Sequence, residues 1–230
     1  MEFYKEFRNL RSLKRSVRKF YETRIKQDPK VIGYHDYLSK GGEALRLNYP
    51  LKRDSIVIDA GGYHGDFAAD IICKYNCKVD VFEPVRQYAL QIEERFRFND
   101  RVSVVEAGLG ASEKEEYISV AEAGSTVFPG RNDYVTREKI RIISVQEYIQ
   151  SKGYSEVDLL KVNIEGGEYD LLDSILKCAA LIHSIKFLQI QFHDFVPEAE
   201  VRRLEIRRKL SGTHKLMWDF PFIWESWERR

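Results

Sequence analysis

From residue 55 onward, short apolar runs alternate with amphipathic stretches, and this alternation limits the fold more than any other feature. The apolar runs predict strands at 55–59, 78–82, 102–106, 157–163 and 185–192, and the stretches between most of them predict helices at 66–75, 85–97, 144–152, 167–177 and 197–210. The aromatic stretch 216–224 contains Pro221 and predicts a late antiparallel strand or strand pair near a sheet edge. Strands that alternate with helices form a parallel sheet covered on both faces. The sequence therefore predicts a doubly wound, mostly parallel α/β fold.

The composition excludes several classes of protein. A chain of 230 residues with 43% hydrophobic residues, 32% charged residues and a net charge of +1 is typical of a globular domain, not of a disordered chain or a globally basic nucleic-acid binder. No apolar stretch is long enough for a membrane span, and the first residues lack the apolar region of a signal peptide, which favours the cytoplasm. Cys73, Cys77 and Cys178 form no CxxC pair, so neither a disulfide framework nor a metal site is predicted.

The first 30 residues differ in charge from the rest of the chain. They contain ten Lys or Arg and four Asp or Glu, a local charge of +6 that leaves −5 for the remainder. Their apolar residues recur at spacings of three and four, which predicts an amphipathic helix with a basic face. We therefore predict an N-terminal helical segment at 1–50 and the main domain at 51–230. The helix either packs on the domain or on a second copy in a homodimer, or contacts an anionic membrane surface or polymer.

The stretch DAGGYHG, residues 59–65, places three glycines where the first predicted strand ends. In open α/β sheets, ligands bind beyond the carboxyl ends of the strands, and glycines let bare backbone approach them. Glu83, which ends the next predicted strand, stands 24 positions after Asp59, near the offset at which an acidic residue binds the ribose of a nucleotide-like cofactor. The leading glycine of the dinucleotide pattern is missing, which disfavours NAD. A plain turn between strand and helix is the alternative.

The spacing Asp59-x-Gly61-x-x-x-Gly65 resembles the turn of class I S-adenosylmethionine-dependent methyltransferases. The stretch LLKVNIEGGEYDLL, residues 159–172, resembles the K-x-D-x-E-G-x-E signature of the FkbM family. This resemblance extends over about 55–195 and implies a Rossmann-like, seven-stranded sheet, S-adenosylmethionine as cofactor, and methyl transfer to a hydroxyl of a sugar, glycan or polyketide-like product. The cofactor-binding residues that it implies are Asp59, Gly61, Gly62, Tyr63, Gly65, Glu83, Pro84, Ala107 and Asn163.

Asn163 is a departure from the FkbM signature, which most often has an aspartate at this position. A carboxamide cannot act as a general base and is a poor metal ligand, so a single-metal mechanism at this position is not expected. Asn163 could instead orient a substrate hydroxyl or a cofactor group by hydrogen bonding.

A hydroxyl that accepts a methyl group must lose its proton, so a base is expected at the strand ends. His193 follows an apolar strand and titrates near neutrality, which makes it the first candidate; a structural histidine is the alternative. Glu165 is predicted to bind substrate or act as the base, and Glu168 either binds substrate or caps the following helix. Lys161 is expected to bind substrate or to pair with Asp59 or Glu165. Asp194 and Ser125, the latter in the non-periodic stretch 121–138, complete the predicted substrate-binding set.

The sequence thus favours a cytoplasmic O-methyltransferase that acts on a sugar or glycan and not on nucleic acid. A nicotinamide-dependent oxidoreductase and a non-catalytic protein that binds S-adenosylmethionine, for example as a scaffold, remain as alternatives.

Overall fold

The computed structural model describes residues 29–119 and 137–230, and the chain divides into two compact units, one ending at Leu45 and one running from Arg46 to Arg230. The predicted basic helix, with its proposed membrane or polymer contact, lies almost entirely outside the described residues, as do Ser125 and most of the stretch 121–138. Helix α1 spans Pro29–Ser39 in the first unit, and α2 spans Gly42–Arg46, of which Arg46 is the first residue of the second unit. None of the helices in the described ranges is long and apolar enough to cross a lipid bilayer.

Within the described ranges, seven strands build the central sheet, and several of them are rich in the β-branched residues that suit buried strands. In chain order they are β1 (Ile56–Ala60), β2 (Lys78–Phe82), β3 (Val102–Val105), β7 (Val157–Val162), β8 (Ile185–Ile190), β9 (His214–Phe220) and β10 (Trp224–Arg229). The three strands that lie between β3 and β7 in the chain form a separate, smaller sheet.

The strand order is β3-β2-β1-β7-β8-β10-β9. The first five strands in this order run parallel to one another, whereas β10 runs antiparallel to both β8 and β9. The predicted doubly wound, mostly parallel fold is confirmed. The stretch 216–224, predicted to form a late antiparallel strand or strand pair, contains most of β9 and the first residue of β10. In this register, Asp59 of β1 lies beside Lys161 of β7, and the carboxyl ends of β1, β2 and β7 meet at one edge of the sheet.

Helices cover both faces of the sheet. They are α3 (Asp66–Tyr75), α4 (Arg86–Phe96), α5 (Val145–Ser151), α6 (Glu168–Lys177), α7 (Ala179–Ser184) and α8 (Ala199–Leu210). Successive side chains of β1 point to opposite faces, so Val57 joins the core that contains α3 and α4, whereas Ile58 joins the core that contains α5, α6 and α8.

A small second sheet stands between β3 and α5, where the sequence analysis predicted only the non-periodic stretch 121–138. It consists of β4 (Gly108–Gly110), β5 (Lys114–Ser119) and β6 (Arg137–Ser144) in the order β4-β6-β5, of which β6 begins within that stretch. Ile118 and Ile140 of this sheet pack against Val85 and Tyr88 at the beginning of α4. The small sheet is therefore attached beside the carboxyl end of β2.

Candidate functional site

The glycine turn after β1 connects β1 to both neighbouring strands. The amides of Gly61 and Gly62 both donate to the carbonyl of Phe82, at 3.0 and 2.9 Å, and fasten the turn to the end of β2. Gly61 has a φ of +88°, and a Cβ atom there would lie 1.9 Å from the backbone oxygen of Asn163. Only glycine permits this close approach, which brings the turn against the end of β7.

Glu83 lies directly after β2 and faces the turn. Its two carboxylate oxygens accept hydrogen bonds from the amides of Tyr63, at 2.8 Å, and Val85, at 2.9 Å. Burial raises the pKa of Glu83 to about 7, although these two hydrogen bonds favour its charged form. Because each carboxylate oxygen has more than one lone pair, Glu83 can accept further hydrogen bonds from a ligand.

Asp59 and Lys161 form a buried ion pair under the turn. Lys161 Nζ lies 2.8 Å from Asp59 Oδ1 and donates to the carbonyl of Gly61 at 2.8 Å. Of the two partners expected for Lys161, the structure thus shows Asp59. The ion pair holds the backbone of the turn through the carbonyl of Gly61. Neither side chain lines the cavity at the carboxyl ends of the strands.

A cavity of about 790 Å³ opens at the carboxyl ends of the strands. Of the residues predicted to bind cofactor or substrate or to act in catalysis, it is lined by Gly61, Tyr63, Glu83, Pro84, Asn163 and Glu165. The remaining predicted residues that the structure describes do not line it; they are Asp59, Gly62, Gly65, Ala107, Lys161, Glu168, His193 and Asp194. Ala107 is fully buried, and its neighbour Gly108 takes the position at the cavity wall.

His193 lies behind the cavity wall, between two carboxylates. Its Nε2 atom is 3.3 Å from Glu165 Oε1, and its Nδ1 atom is 3.0 Å from Glu168 Oε1. Burial by itself lowers the pKa of an imidazole, but the hydrogen bonds and charges of Glu165 and Glu168 outweigh it and raise the pKa of His193 to about 9. At neutral pH, His193 is therefore an imidazolium that holds its carboxylate neighbours. A protonated ring whose two nitrogens are both engaged has no lone pair with which to act as the predicted base.

Glu168 holds the loop that carries Glu165. Its side chain is fully buried, and its oxygens accept hydrogen bonds from the amides of Ile164, at 2.8 Å, and Gly166, at 2.9 Å. Neither of the two roles predicted for Glu168 is seen: its hydrogen bonds go to amides of the loop before α6 and not to those of the helix, and it does not line the cavity. Glu165 itself has a φ of +51°, which is uncommon for a residue with a side chain and costs free energy. The loop keeps this conformation because Glu168 and His193 fix it from the protein side.

Asn163 follows β7 directly and also lines the cavity. Its backbone amide donates to the carbonyl of Ala60 at 3.0 Å. The oxygen of its side chain, Oδ1, is buried without a hydrogen-bond partner among the described residues. An unsatisfied buried acceptor lowers the stability of a fold by about 1–3 kcal/mol. This cost is tolerated at a binding site, where a ligand can supply the missing hydrogen bond.

The cavity also contains residues that the sequence analysis did not select. One apolar end is formed by Tyr88, Ile118, Ile140 and Ile142, and one polar side is formed by Asp170, Asp173, Ser174 and Lys177 of α6. The spacing of the α6 residues is that of one helix face and could have been read from the sequence. The residues of the small sheet that line the same cavity could not be predicted from the sequence, because that sheet was not predicted. In the described ranges, no group of three or more His, Cys, Asp or Glu side chains is arranged to hold a metal ion.

Comparison with known proteins gives one family match. A family model described as the methyltransferase FkbM domain matches residues 59–222. No sequence among curated proteins is significantly similar to the chain.

Among solved structures, a protein of Streptococcus mutans assigned as a methyltransferase, in complex with S-adenosylhomocysteine, has a TM-score of 0.53 at 12% identity, covering 83% of this chain and 97% of that chain. A protein of Clostridium thermocellum assigned as an rRNA methylase has a TM-score of 0.49 at 12% identity, covering 84% and 94%. At 12% identity, the similarity to the Streptococcus mutans protein shows the fold alone.

Proposed function

Because the chain belongs to the family defined by the methyltransferase FkbM domain, which matches residues 59–222, we propose that it transfers a methyl group from S-adenosylmethionine to a hydroxyl of a sugar or glycan. The family makes the chain an S-adenosylmethionine-dependent methyltransferase. The hydroxyl acceptor is our inference from the residues of the cavity.

The residues present fit the cofactor. Glu83 offers a carboxylate for the ribose hydroxyls, and Gly61 brings bare backbone to the cavity beside it. The cavity volume of about 790 Å³ lies within the range of about 300–1,000 Å³ that is typical of small-molecule sites. When bound, S-adenosylmethionine supplies an electrophilic methyl group on a positively charged sulfur.

The position of Glu165 is the observation that carries the proposal of a hydroxyl acceptor. Glu165 and Asn163 both line the cavity, and His193 restrains the carboxylate of Glu165. A carboxylate accepts hydrogen bonds only, so it binds and orients a hydroxyl group. The side chain is thus placed to take the proton that an acceptor hydroxyl releases, whereas His193 is already protonated.

Orientation is the main contribution that we assign to this site. Orientation that holds the reacting oxygen in line at near-attack distance lowers the activation barrier by about 7–11 kcal/mol in good model systems. A placed base increases the rate by about 10²–10⁴. Glu165 and Asn163 would orient the acceptor together, the first as hydrogen-bond acceptor and base, the second through its carboxamide. Asn163 does not compete for the proton, because a carboxamide is neutral at all relevant pH values.

The proposal is tested in two steps. Calorimetric titration of the purified chain with S-adenosylmethionine, S-adenosylhomocysteine and NAD comes first, and we expect binding of the two adenosyl ligands and not of NAD. Transfer of a radiolabelled methyl group to a panel of sugars and oligosaccharides is then measured. Binding of NAD would favour an oxidoreductase, and cofactor binding without transfer to any sugar would favour the non-catalytic alternative.

A matched pair of variants tests the role of Glu165. We expect Glu165→Gln to reduce turnover by about 10²–10³ while cofactor affinity stays nearly constant, because the amide keeps the shape but cannot take a proton. Glu200→Gln, on the exposed first turn of α8 and away from the cavity, is the control. Equal turnover in both variants would remove Glu165 from the catalytic role.

A further inference from the structure

The cavity does not end at Asn163 and Glu165 but continues along helix α6. Asp170, Asp173, Ser174 and Lys177 line this extension, and their spacing of three and four residues places them on one face of the helix. At 1.5 Å per residue, this stripe is about 10 Å long. We call this extension, together with the facing residues Ser112, Lys114 and Glu116, the polar groove.

The two walls of the polar groove meet at its floor. Ser174 Oγ donates to the carbonyl of Ala111 at 3.4 Å, so α6 and the segment between β4 and β5 are in direct contact there. On the opposite wall, Lys114 Nζ lies 2.7 Å from Glu116 Oε2. The groove thus has a closed floor, and one end leads to the cofactor part of the cavity.

Basic side chains hold the carboxylates of the polar groove. Asp170 lies 2.8 Å from Arg202, and Asp173 lies 3.2 Å from Lys209, both cations belonging to the neighbouring helix α8. These pairs restrict the carboxylates and neutralise most of their charge, while lone pairs remain for other donors. A row of restrained acceptors, with the hydroxyls of Ser112 and Ser174 between them, is suited to ligands with many hydroxyl groups and few charges.

We propose that the polar groove binds an extended, neutral, hydroxyl-rich chain, so that the acceptor is an oligosaccharide or polysaccharide rather than a single sugar or a small natural product. This inference rests on the proposed function and specifies its substrate class. One sugar unit would occupy the region of Asn163 and Glu165, and the following units would lie along α6 as far as Lys177.

The test is binding of the S-adenosylhomocysteine-loaded protein to an array of neutral glycans that ranges from single sugars to hexasaccharides, with a transfer RNA as competitor. We expect binding that strengthens from monosaccharides to longer chains and that the RNA does not displace. Ser174→Trp, which fills the groove, should weaken this binding at least about tenfold, whereas Ala180→Trp, on the exposed surface of α7 outside the cavity, should leave it within about twofold.

A second pair of variants tests the polar groove without a bulky substitution, so that the result does not depend on the folding of the tryptophan variant. Asp173→Ala removes a groove carboxylate that holds Lys209, and Glu205→Ala removes the other carboxylate of Lys209, at 3.1 Å, without touching the groove. We expect glycan binding to fall in the first variant and not in the second, with unchanged affinity for S-adenosylhomocysteine in both.

Several outcomes would overturn the polar groove as a glycan site. They are equal binding of monosaccharides and longer chains, unchanged binding in Ser174→Trp and Asp173→Ala, displacement by RNA, and no glycan binding by a protein that still binds S-adenosylhomocysteine. Loss of cofactor binding in the wild type would instead contradict the proposed function, so the two failures are distinguishable.

Discussion

Glu83 connects the chemistry of a single residue to cofactor binding. Burial raises its pKa to about 7, so its carboxylate is partly protonated near neutral pH. Its charged form accepts the two backbone hydrogen bonds that shape the turn, and the same form is needed to accept hydrogen bonds from ribose hydroxyls. Cofactor affinity therefore depends on the ionisation of this one side chain.

We expect the affinity for S-adenosylhomocysteine to rise from pH 6 to pH 8, by up to about tenfold per pH unit below the pKa of Glu83. Glu83→Ala should weaken binding by roughly 1–3 kcal/mol and remove this pH dependence. Calorimetric titration across the pH range measures both effects. Glu106→Ala, which removes an exposed carboxylate near β3, is the control, and a loss of affinity there as large as in Glu83→Ala would contradict the assignment.

The charge of His193 makes the free energy of unfolding fall as the pH rises, whereas the cofactor affinity that depends on Glu83 rises with pH. The pKa of His193 is raised in the folded chain from 6.5 to about 9, so the stabilisation from its charged form is complete below pH 6.5 and is lost as the pH rises through 9. This difference corresponds to roughly 3 kcal/mol. We expect the free energy of unfolding to fall between pH 6.5 and 9 in the wild type and to change much less in His193→Gln. Denaturant unfolding at several pH values measures this slope, and equal slopes in the two proteins would disprove the buried imidazolium.

At the scale of the elements, the close packing of β1 against β7 depends on Gly61. A Cβ at this position would lie 1.9 Å from the backbone oxygen of Asn163, and the φ of +88° adds strain. We expect Gly61→Ala to destabilise the fold by about 2 kcal/mol or more and to reduce cofactor affinity. Gly153→Ala separates the two causes, because Gly153 also has a positive φ, of +66°, but has no atom within 4 Å of its Cβ position. Equal losses of stability in the two variants would show that strain alone is responsible.

The five parallel strands of the central sheet were predictable because apolar residues dominate each of them, which is typical of strands buried on both faces. The small sheet was not predictable: β4 has only three residues, and β5 and β6 are interrupted by charged side chains such as Glu115, Lys139 and Arg141. Within the site, Glu83 and Asn163 were found because they directly follow β2 and β7, and Glu165 because it lies in the stretch that resembles the FkbM signature. The contacts of both ring nitrogens of His193 were not predicted, because they join residues that are 25 and 28 positions apart in the chain.

At the scale of the whole molecule, a buried group of charges fastens α8 to the last two strands. Arg203 donates to Glu225 at 3.0 Å, and Trp227 donates to the other oxygen of Glu225 at 2.8 Å; Arg203 also pairs with Asp219. Removal of one partner of such a group leaves a buried charge without compensation. This group lies outside the cavity, so its role is in stability.

We expect Arg203→Leu to lower the free energy of unfolding by about 3–5 kcal/mol, with cofactor affinity unchanged at temperatures where the variant is folded. Arg208→Leu, on the exposed side of the same helix, should change stability by no more than about 0.5 kcal/mol. Thermal unfolding and calorimetry measure the two quantities. A stable Arg203→Leu variant would mean that Arg207, which also pairs with Asp219 and Glu225, compensates these carboxylates without Arg203.

The strand order of the sheet imposes an order on its assembly. Strand β9 precedes β10 in the chain, yet β10 lies between β8 and β9, and its pairing joins Glu225 to Ile190. Strand β9 therefore has no place in the sheet until the strand that follows it has been made and has docked. Until that moment β8 presents an open edge, which is the kind of surface on which unfinished chains pair with one another. The non-local pairing of β10 thus covers the edge of β8 only after both β9 and β10 have been made.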